Sequence, residues 1–380
     1  MSIKWITPKG KYKIGFFDES FEYDLEGKNR AISLRCYYPA DQVEGKADTY
    51  ISNEEMLEYY FKANPAGPFS ELFKDLINLP TNSYSKAILT SEIKEFKVLI
   101  YTHSFGNIMW WNLAQIEELV SQGYVIFAIN HTDDTFYTKL ADKVVGRDME
   151  AAGIVMSELI KNMSIGGGKG PFEWSSEQIK EYILVCENVS ARVELWRKDT
   201  IALLNEIERI NSNIDSLLFN KLNTKGVGAF GNSFGGAVSI DTALFDKRIV
   251  ASVNLDGFQL GGNLFTNKLE TPGLYLTKFA PHFEGNYGTL NENIDCIEIT
   301  GSSNLFFSDL SVLFEDGVGK LEITAPTISG LECSEIISET LKVFFDKNVK
   351  NDSDASYERI TDKFGNKIKI IMGENREEHK

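Results

Sequence analysis

Lys225-Gly226-Val227-Gly228-Ala229-Phe230-Gly231-Asn232-Ser233-Phe234-Gly235-Gly236 is the stretch on which the reading of this chain turns. Its first half is a short apolar run with the composition of a buried strand. Its second half fits G-x-S-x-G, and the residues that follow, Ala237 to Leu244, have helical spacing. Alone, the pentapeptide is only a glycine-rich turn with a serine in it. Between a strand and a helix it has the context of a nucleophile elbow, which lifts a serine hydroxyl onto a sharp turn at a helix N-terminus. Backbone N–H groups at that position can stabilise developing negative charge.

Such a site needs a second N–H donor from the loop after an earlier strand. Phe96 to Tyr101 reads as that strand, and Thr102-His103-Ser104-Phe105-Gly106 follows it. The expected oxyanion-hole donors are therefore Phe105 and Phe234. Working outward, Ala31–Tyr38, Tyr124–Ile129, Val250–Leu255, Gly273–Thr277 and Cys296–Thr300 read as further strands. Helical spacing marks Glu54–Lys62, Pro68–Ile77, Trp110–Ser121, about Asn188–Ile210, and Ser334–Asp346. Strands alternating with helices in this way imply an α/β fold with a mostly parallel sheet covered on both faces. Residues 1–350 are expected to form one domain, with insertions at about 41–95 and 131–185 as a cap or lid, and 351–380 a charged C-terminal tail.

The chain has 380 residues, and 39 basic against 55 acidic residues give a formal net charge of −16. That balance argues against a nucleic-acid partner, which requires a basic face. The N-terminus has no apolar signal segment, and no run approaches the ~18 apolar residues of a spanning helix. Cys36, Cys186, Cys296 and Cys333 are scattered, with no CxxC pair, so a zinc site is not expected. Gly166-Gly167-Gly168-Lys169-Gly170 lacks phosphate-loop spacing. No cofactor and no metal are implied, and a cytoplasmic location is expected.

The motifs resemble those of the platelet-activating-factor acetylhydrolases of the plasma type and their bacterial lipase-like relatives among the α/β-hydrolases. The likeness rests on Thr102-His103-Ser104-Phe105-Gly106, on Gly231-Asn232-Ser233-Phe234-Gly235-Gly236, and on Asn254-Leu255-Asp256-Gly257. Arg35-Cys36-Tyr37-Tyr38-Pro39 and Phe344-Phe345-Asp346 extend it over roughly residues 30–348. The resemblance implies an α/β-hydrolase fold, Ser233 as nucleophile, Asp256 as the acid of a catalytic triad, and a small ester or lipid-like substrate.

The triad histidine of that family has no counterpart. The corresponding turn reads Gly301-Ser302-Ser303-Asn304, with Asn304 in the histidine's place. An asparagine can donate a hydrogen bond to Asp256 but cannot hold the serine proton near neutral pH. Asn232 and Ser104 also replace a histidine and a glycine of the family's motifs. Four histidines exist in the chain. His379 is in the charged tail, and His103 and His131 suit structural roles. His282, in a loop after the strand Gly273–Thr277, is the candidate substitute base, because loops after parallel strands line the ligand crevice. The expected activity is serine carboxylic-ester hydrolysis with an incomplete triad. The alternative is a catalytically impaired pseudohydrolase that binds a ligand or partner, and an acyltransferase on the same elbow is a third reading.

Overall fold

Two long strands open the chain, β1 (Lys13–Leu25) and β2 (Lys28–Val43), antiparallel along their whole length. Six shorter apolar runs follow as β3 (Phe96–Thr102), β4 (Val125–Asn130), β5 (Leu222–Asn232), β6 (Ile249–Leu255), β7 (Gly273–Thr277) and β8 (Ile294–Ile299). A last strand, β9 (Ile368–Ile371), lies at one edge. The computed structural model describes residues 5–65, 70–288, 290–314 and 325–371.

The order across the sheet is β9-β8-β7-β6-β5-β3-β4-β2-β1, continued by the short strand Ser83–Tyr84. The six strands β3 to β8 are mutually parallel, and β2 and β9 flank them antiparallel. The sheet is thus mostly parallel, as expected. Its strands β4 and β7 are buried at every residue, which is why they read as continuous apolar runs rather than alternating ones. The chain passes from β3 to β4 on one side and returns to β5 on the other. The C-terminal ends of β3 and β5 therefore meet where the strand order reverses, which is where open α/β sheets form a ligand crevice.

Helices cover both faces. They are α1 (Glu54–Ala63), α2 (Leu113–Ser121), α3 (Met149–Asn162), α4 (Ser176–Val185), α5 (Glu187–Ser212), α6 (Phe234–Phe245), α7 (Gly330–Asn348) and α8 (Glu358–Phe364). On one face Ile116 and Leu119 of α2 and Ile337 and Leu341 of α7 pack with Leu99, Ile126 and Val253 of the sheet. On the other, Leu203, Ile207 and Ile210 of α5 and Ile240 of α6 pack with Val98, Ile100 and Phe127. Val189, Val193, Trp196, Leu203, Ile207 and Ile210 fall on one stripe of α5, which explains its burial along one side.

Two regions differ from the sequence expectation. The 131–185 stretch, read only as a long mixed segment, contains α3 and α4. Helix α3 buries just Ala152 and Val155 and leaves Met149, Met156 and Ile160 exposed, so its apolar periodicity does not mark a core face. The charged tail expected from residue 351 is the second, and it needs correction. Ile360 and Phe364 of α8 and Ile368 of β9 are buried in the core, and β9 pairs with β8 from Cys296–Ile371 to Ile299–Ile368. Their apolar residues are interleaved with lysine, aspartate and glutamate, so the local sequence looks solvated although one face is not. Residues 372–380, including His379, lie outside the described residues.

A buried carboxylate ties the loop after β8 to helix α2. Asp309 accepts hydrogen bonds from the Leu113 N–H at 2.7 Å, the Ala114 N–H at 3.1 Å and the Tyr50 hydroxyl at 2.9 Å. Asn112, the residue before α2, makes no side-chain cap bond, so Asp309 caps the helix from far along the chain. Asp309→Ala should strand these donors in the core and lower stability by about 3 kcal/mol. Asp309→Asn, which keeps an acceptor, should cost less; urea unfolding of both variants measures the difference.

Candidate active site

The turn between β5 and α6 places Ser233 at φ 53° and ψ −115°, a strained conformation for a residue with a side chain. Its backbone is pinned on both sides. The Ser233 N–H donates to the Leu255 carbonyl at 2.8 Å, and the Ser233 carbonyl accepts from the N–H groups of Gly236 and Ala237. Gly235 then runs against the end of β3. A Cβ built there would lie 2.2 Å from the Thr102 oxygen and 2.4 Å from the His103 oxygen, so only glycine fits.

This close approach brings the two expected oxyanion donors together. The Phe105 and Phe234 rings lie 5.5 Å apart, and both pack on Trp196 of α5, at 6.2 and 4.7 Å. Neither backbone N–H has a hydrogen-bond partner among the described residues. Two free N–H groups flanking a nucleophile turn can hold an oxyanion. Trp196 is itself held by its indole N–H, which donates to Asp134 at 2.6 Å.

Asp256 follows β6, also at positive φ, 53°. Its half-buried carboxylate accepts from the Thr277 hydroxyl at 2.6 Å, the Lys278 N–H at 3.0 Å and the Asn304 side-chain amide at 2.7 Å. Burial pushes the carboxyl up, and the hydrogen bonds from Thr277 and Asn304 oppose that. Asn304 also donates to the Asp256 carbonyl at 3.2 Å. Asn232 is buried beside the elbow and donates to the Phe307 carbonyl at 3.1 Å, on the loop that carries Asn304.

The other histidines are occupied elsewhere. His282 lies at the start of a short helix after β7. Its Nε2–H donates to the Pro171 carbonyl at 2.9 Å, and burial lowers its pKa to about 4. Asp256 has its donors from Thr277, Lys278 and Asn304, and His282 is not among them. His103 is buried, with Nδ1–H donating to the Ser104 carbonyl and Nε2 accepting the His131 N–H; burial holds it well below its ordinary pKa. His131 stacks on Trp196 and donates from Nδ1 to Asp199, which also binds Arg30 and the Tyr23 hydroxyl.

The residues around Asp256 that sequence reading missed, Thr277 and Lys278, sit at the end of a strand it did find. Trp196 reads as one more apolar position of an amphipathic helix, with no local signal for its place beneath the oxyanion turn. Apart from these residues, a cavity of about 510 Å3 is bordered by Phe16, Asp18, Arg35, Asp48 and Trp110. Its Arg35 is already paired with Asp18 and Asp48. Among the described residues no cluster of metal-binding side chains is found, and no helix is long and apolar enough to cross a membrane.

A family model described as "Platelet-activating factor acetylhydrolase, isoform II" matches residues 2–364. The chain belongs to this family. Its fold is that of the α/β-hydrolases. It is 23% identical over 267 residues to a platelet-activating factor acetylhydrolase of Canis lupus familiaris, covering 66% of this chain and 54% of that protein. To the Bos taurus protein of that name it is 23% identical over 275 residues, covering 68% of this chain and 56% of the relative. The match thus spans little more than half of these relatives. Among solved structures, a ferulic acid esterase from Streptomyces cinnamoneus superposes with a TM-score of 0.68 at 16% identity, covering 98% of this chain and 100% of that one. At that identity the likeness speaks for the fold.

Gly235→Ala should force the elbow off β3, because the obstructing atoms are backbone. We expect a folded but destabilised protein in which Ser233 no longer reacts with a fluorophosphonate probe. Undiminished labelling would show that the elbow tolerates the displacement.

Proposed function

We propose that the chain is a serine carboxylic-ester hydrolase of the acetylhydrolase type, acting on a small or lipid-like ester. The observation that carries this reading is the strained Ser233 turn flanked by two unpartnered backbone N–H groups. In the proposed reaction the Ser233 Oγ attacks the ester carbonyl and its proton passes to water. The N–H groups of Phe105 and Phe234 hold the resulting oxyanion. Collapse expels the alcohol, which takes up a proton, and leaves an acyl-serine. Water then releases the acid and restores Ser233, so ester and water give acid and alcohol.

Asp256 and Asn304 take the positions of the triad acid and its histidine. Asn304 mimics the histidine's hydrogen bond to the carboxylate but cannot carry the proton. A triad lacking one member still accelerates such reactions by ~10³–10⁴-fold over water through the oxyanion hole and binding. The enzyme we propose is therefore slow with simple esters. His282 as substitute base has little support, since its Nε2–H is bound to Pro171 and burial disfavours its protonation. We further propose that the hydrolase domain runs past residue 350 to include α8 and β9, with the 41–95 and 131–185 insertions covering the crevice. The 131–185 segment reaches the loops after β6 and β7 through Trp174 on Phe258 and Pro171 on His282, which supports a cap role. The four buried, free cysteines fit a reducing, cytoplasmic setting.

The same Asn304–Asp256 bond favours a second reading, a pseudohydrolase that binds an ester-like ligand without turnover. A fluorophosphonate probe and p-nitrophenyl acetate separate the two. Labelling and turnover that disappear in Ser233→Ala support the hydrolase; absence of both in the folded wild-type protein rejects it. Asn304→His should raise esterase activity at least tenfold. The gain should appear as pH rises through about 6–7, where an imidazole loses its proton and becomes a base. No gain in a folded variant would show that residue 304 is not in reach of Ser233.

A further inference from the structure

Arg147 stands immediately before Asp148, the N-cap of α3. Its guanidinium lies against the oxyanion turn. A Cβ built on Gly106 would fall 1.4 Å from Nη2 and 2.4 Å from Cζ, so the guanidinium fills the space that a side chain there would need. The same group faces the Phe105 ring, 6.0 Å from its centre. Gly106 directly follows Phe105, one of the two expected oxyanion donors.

Among the described residues this cation makes no hydrogen bond and no ion pair, and its Nε is shut off from solvent. The other inward-facing arginines differ. Arg30 grips Asp199, Arg35 pairs with Asp18 and Asp48, and Arg197 pairs with Asp241. Asp134 attracts Arg147 from a distance, but one of its oxygens is already taken by the Trp196 indole and by Arg192 at 3.4 Å. Arg147 is half-buried, with only its Nε closed off and without a hydrogen bond, so its outer N–H groups are open to a ligand; a planar guanidinium binds carboxylate or phosphate through two parallel N–H groups.

We propose that Arg147 is the binding site for an anionic group carried by the substrate, a carboxylate or a phosphate placed a few bonds from the scissile ester carbonyl. The inference rests on the ester-hydrolase reading of the site only for the identity of the ligand as an ester. The anion supplies the partner that the fold withholds, and it fixes the substrate's orientation against the turn that receives the carbonyl oxygen. Gly106 stands at φ 81°, a conformation that favours glycine, and the missing side chain leaves the room that the guanidinium occupies.

The test separates binding from turnover by using Ser233→Ala protein and isothermal titration calorimetry. Two matched pairs of probes distinguish where the anion is carried. Mono-4-nitrophenyl succinate against 4-nitrophenyl butyrate tests a carboxylate on the acyl side. 2-Acetoxyethyl phosphate against 2-acetoxyethanol tests a phosphate on the alcohol side. We expect the anionic member of one pair to bind at least tenfold more tightly than its neutral counterpart. Arg147→Gln should bring that probe down to the affinity of the neutral one. Arg147→Lys, which keeps the charge but loses the fork, should retain only part of the preference and guards against a Gln variant that fails to fold. Equal affinities in both pairs, no measurable binding of either anionic probe, or a preference that survives Arg147→Gln would overturn the proposal. Turnover of the same esters by the wild-type protein is read separately. Anion preference without turnover rejects the hydrolase and leaves this inference standing, whereas turnover without preference does the reverse.

Discussion

The close approach of α6 to the end of β3, at Gly235, governs the candidate site. Because no side chain intervenes, the helix N-terminus lies on the Thr102 and His103 carbonyls. That contact puts the Ser233 turn and the loop carrying Phe105 side by side at the switch in strand order. The Leu255 carbonyl holds the turn from the other neighbouring strand. The positive φ at Ser233 is sustained by these surroundings rather than by local preference. Trp196 completes the arrangement from below, with both phenylalanine rings resting on it.

The second element is the hydrogen-bonded group around Asp256, which we propose as a triad framework without a histidine base. Asp256 gathers donors from the end of β7 and from the loop after β8, and Asn304 takes the bond that a histidine would make. Asp309 and Asn232 tie that loop to α2 and to the elbow, so residue 304 is held from two directions. The chemistry that remains is polarisation and positioning. Proton transfer has no strong acceptor at that place, because an amide does not hold a proton near neutral pH.

The three histidines within the described residues serve the scaffold instead. His103 and His131 form one chain of hydrogen bonds behind the oxyanion turn, ending on Asp199 and Arg30. His282 fastens the 131–185 segment through Pro171. Arg147, by contrast, has no hydrogen bond or ion pair among the described residues, and its position beside Gly106 links the same segment to the loop carrying Phe105.

The mostly parallel sheet and the strand–turn–helix around Ser233 were readable from residues alone, and the resemblance to the family pointed to Asn304. Strand and helix periodicities are local, and the strand before and the helix after Gly231–Gly235 give that common pentapeptide its meaning. The same holds for the chemistry of residue 304, since an asparagine amide does not act as a base near neutral pH in any surroundings. Other features were beyond such reading. The packing of residues 358–371 into the core depends on a face formed between charged neighbours. The partners of Asp256 come from Thr277 and Lys278, 21 and 22 residues away. The sequence alone determined which groups are present to act. Only the tertiary structure decided which of them are paired, buried or left free, because pairing and desolvation are set by residues distant in the chain.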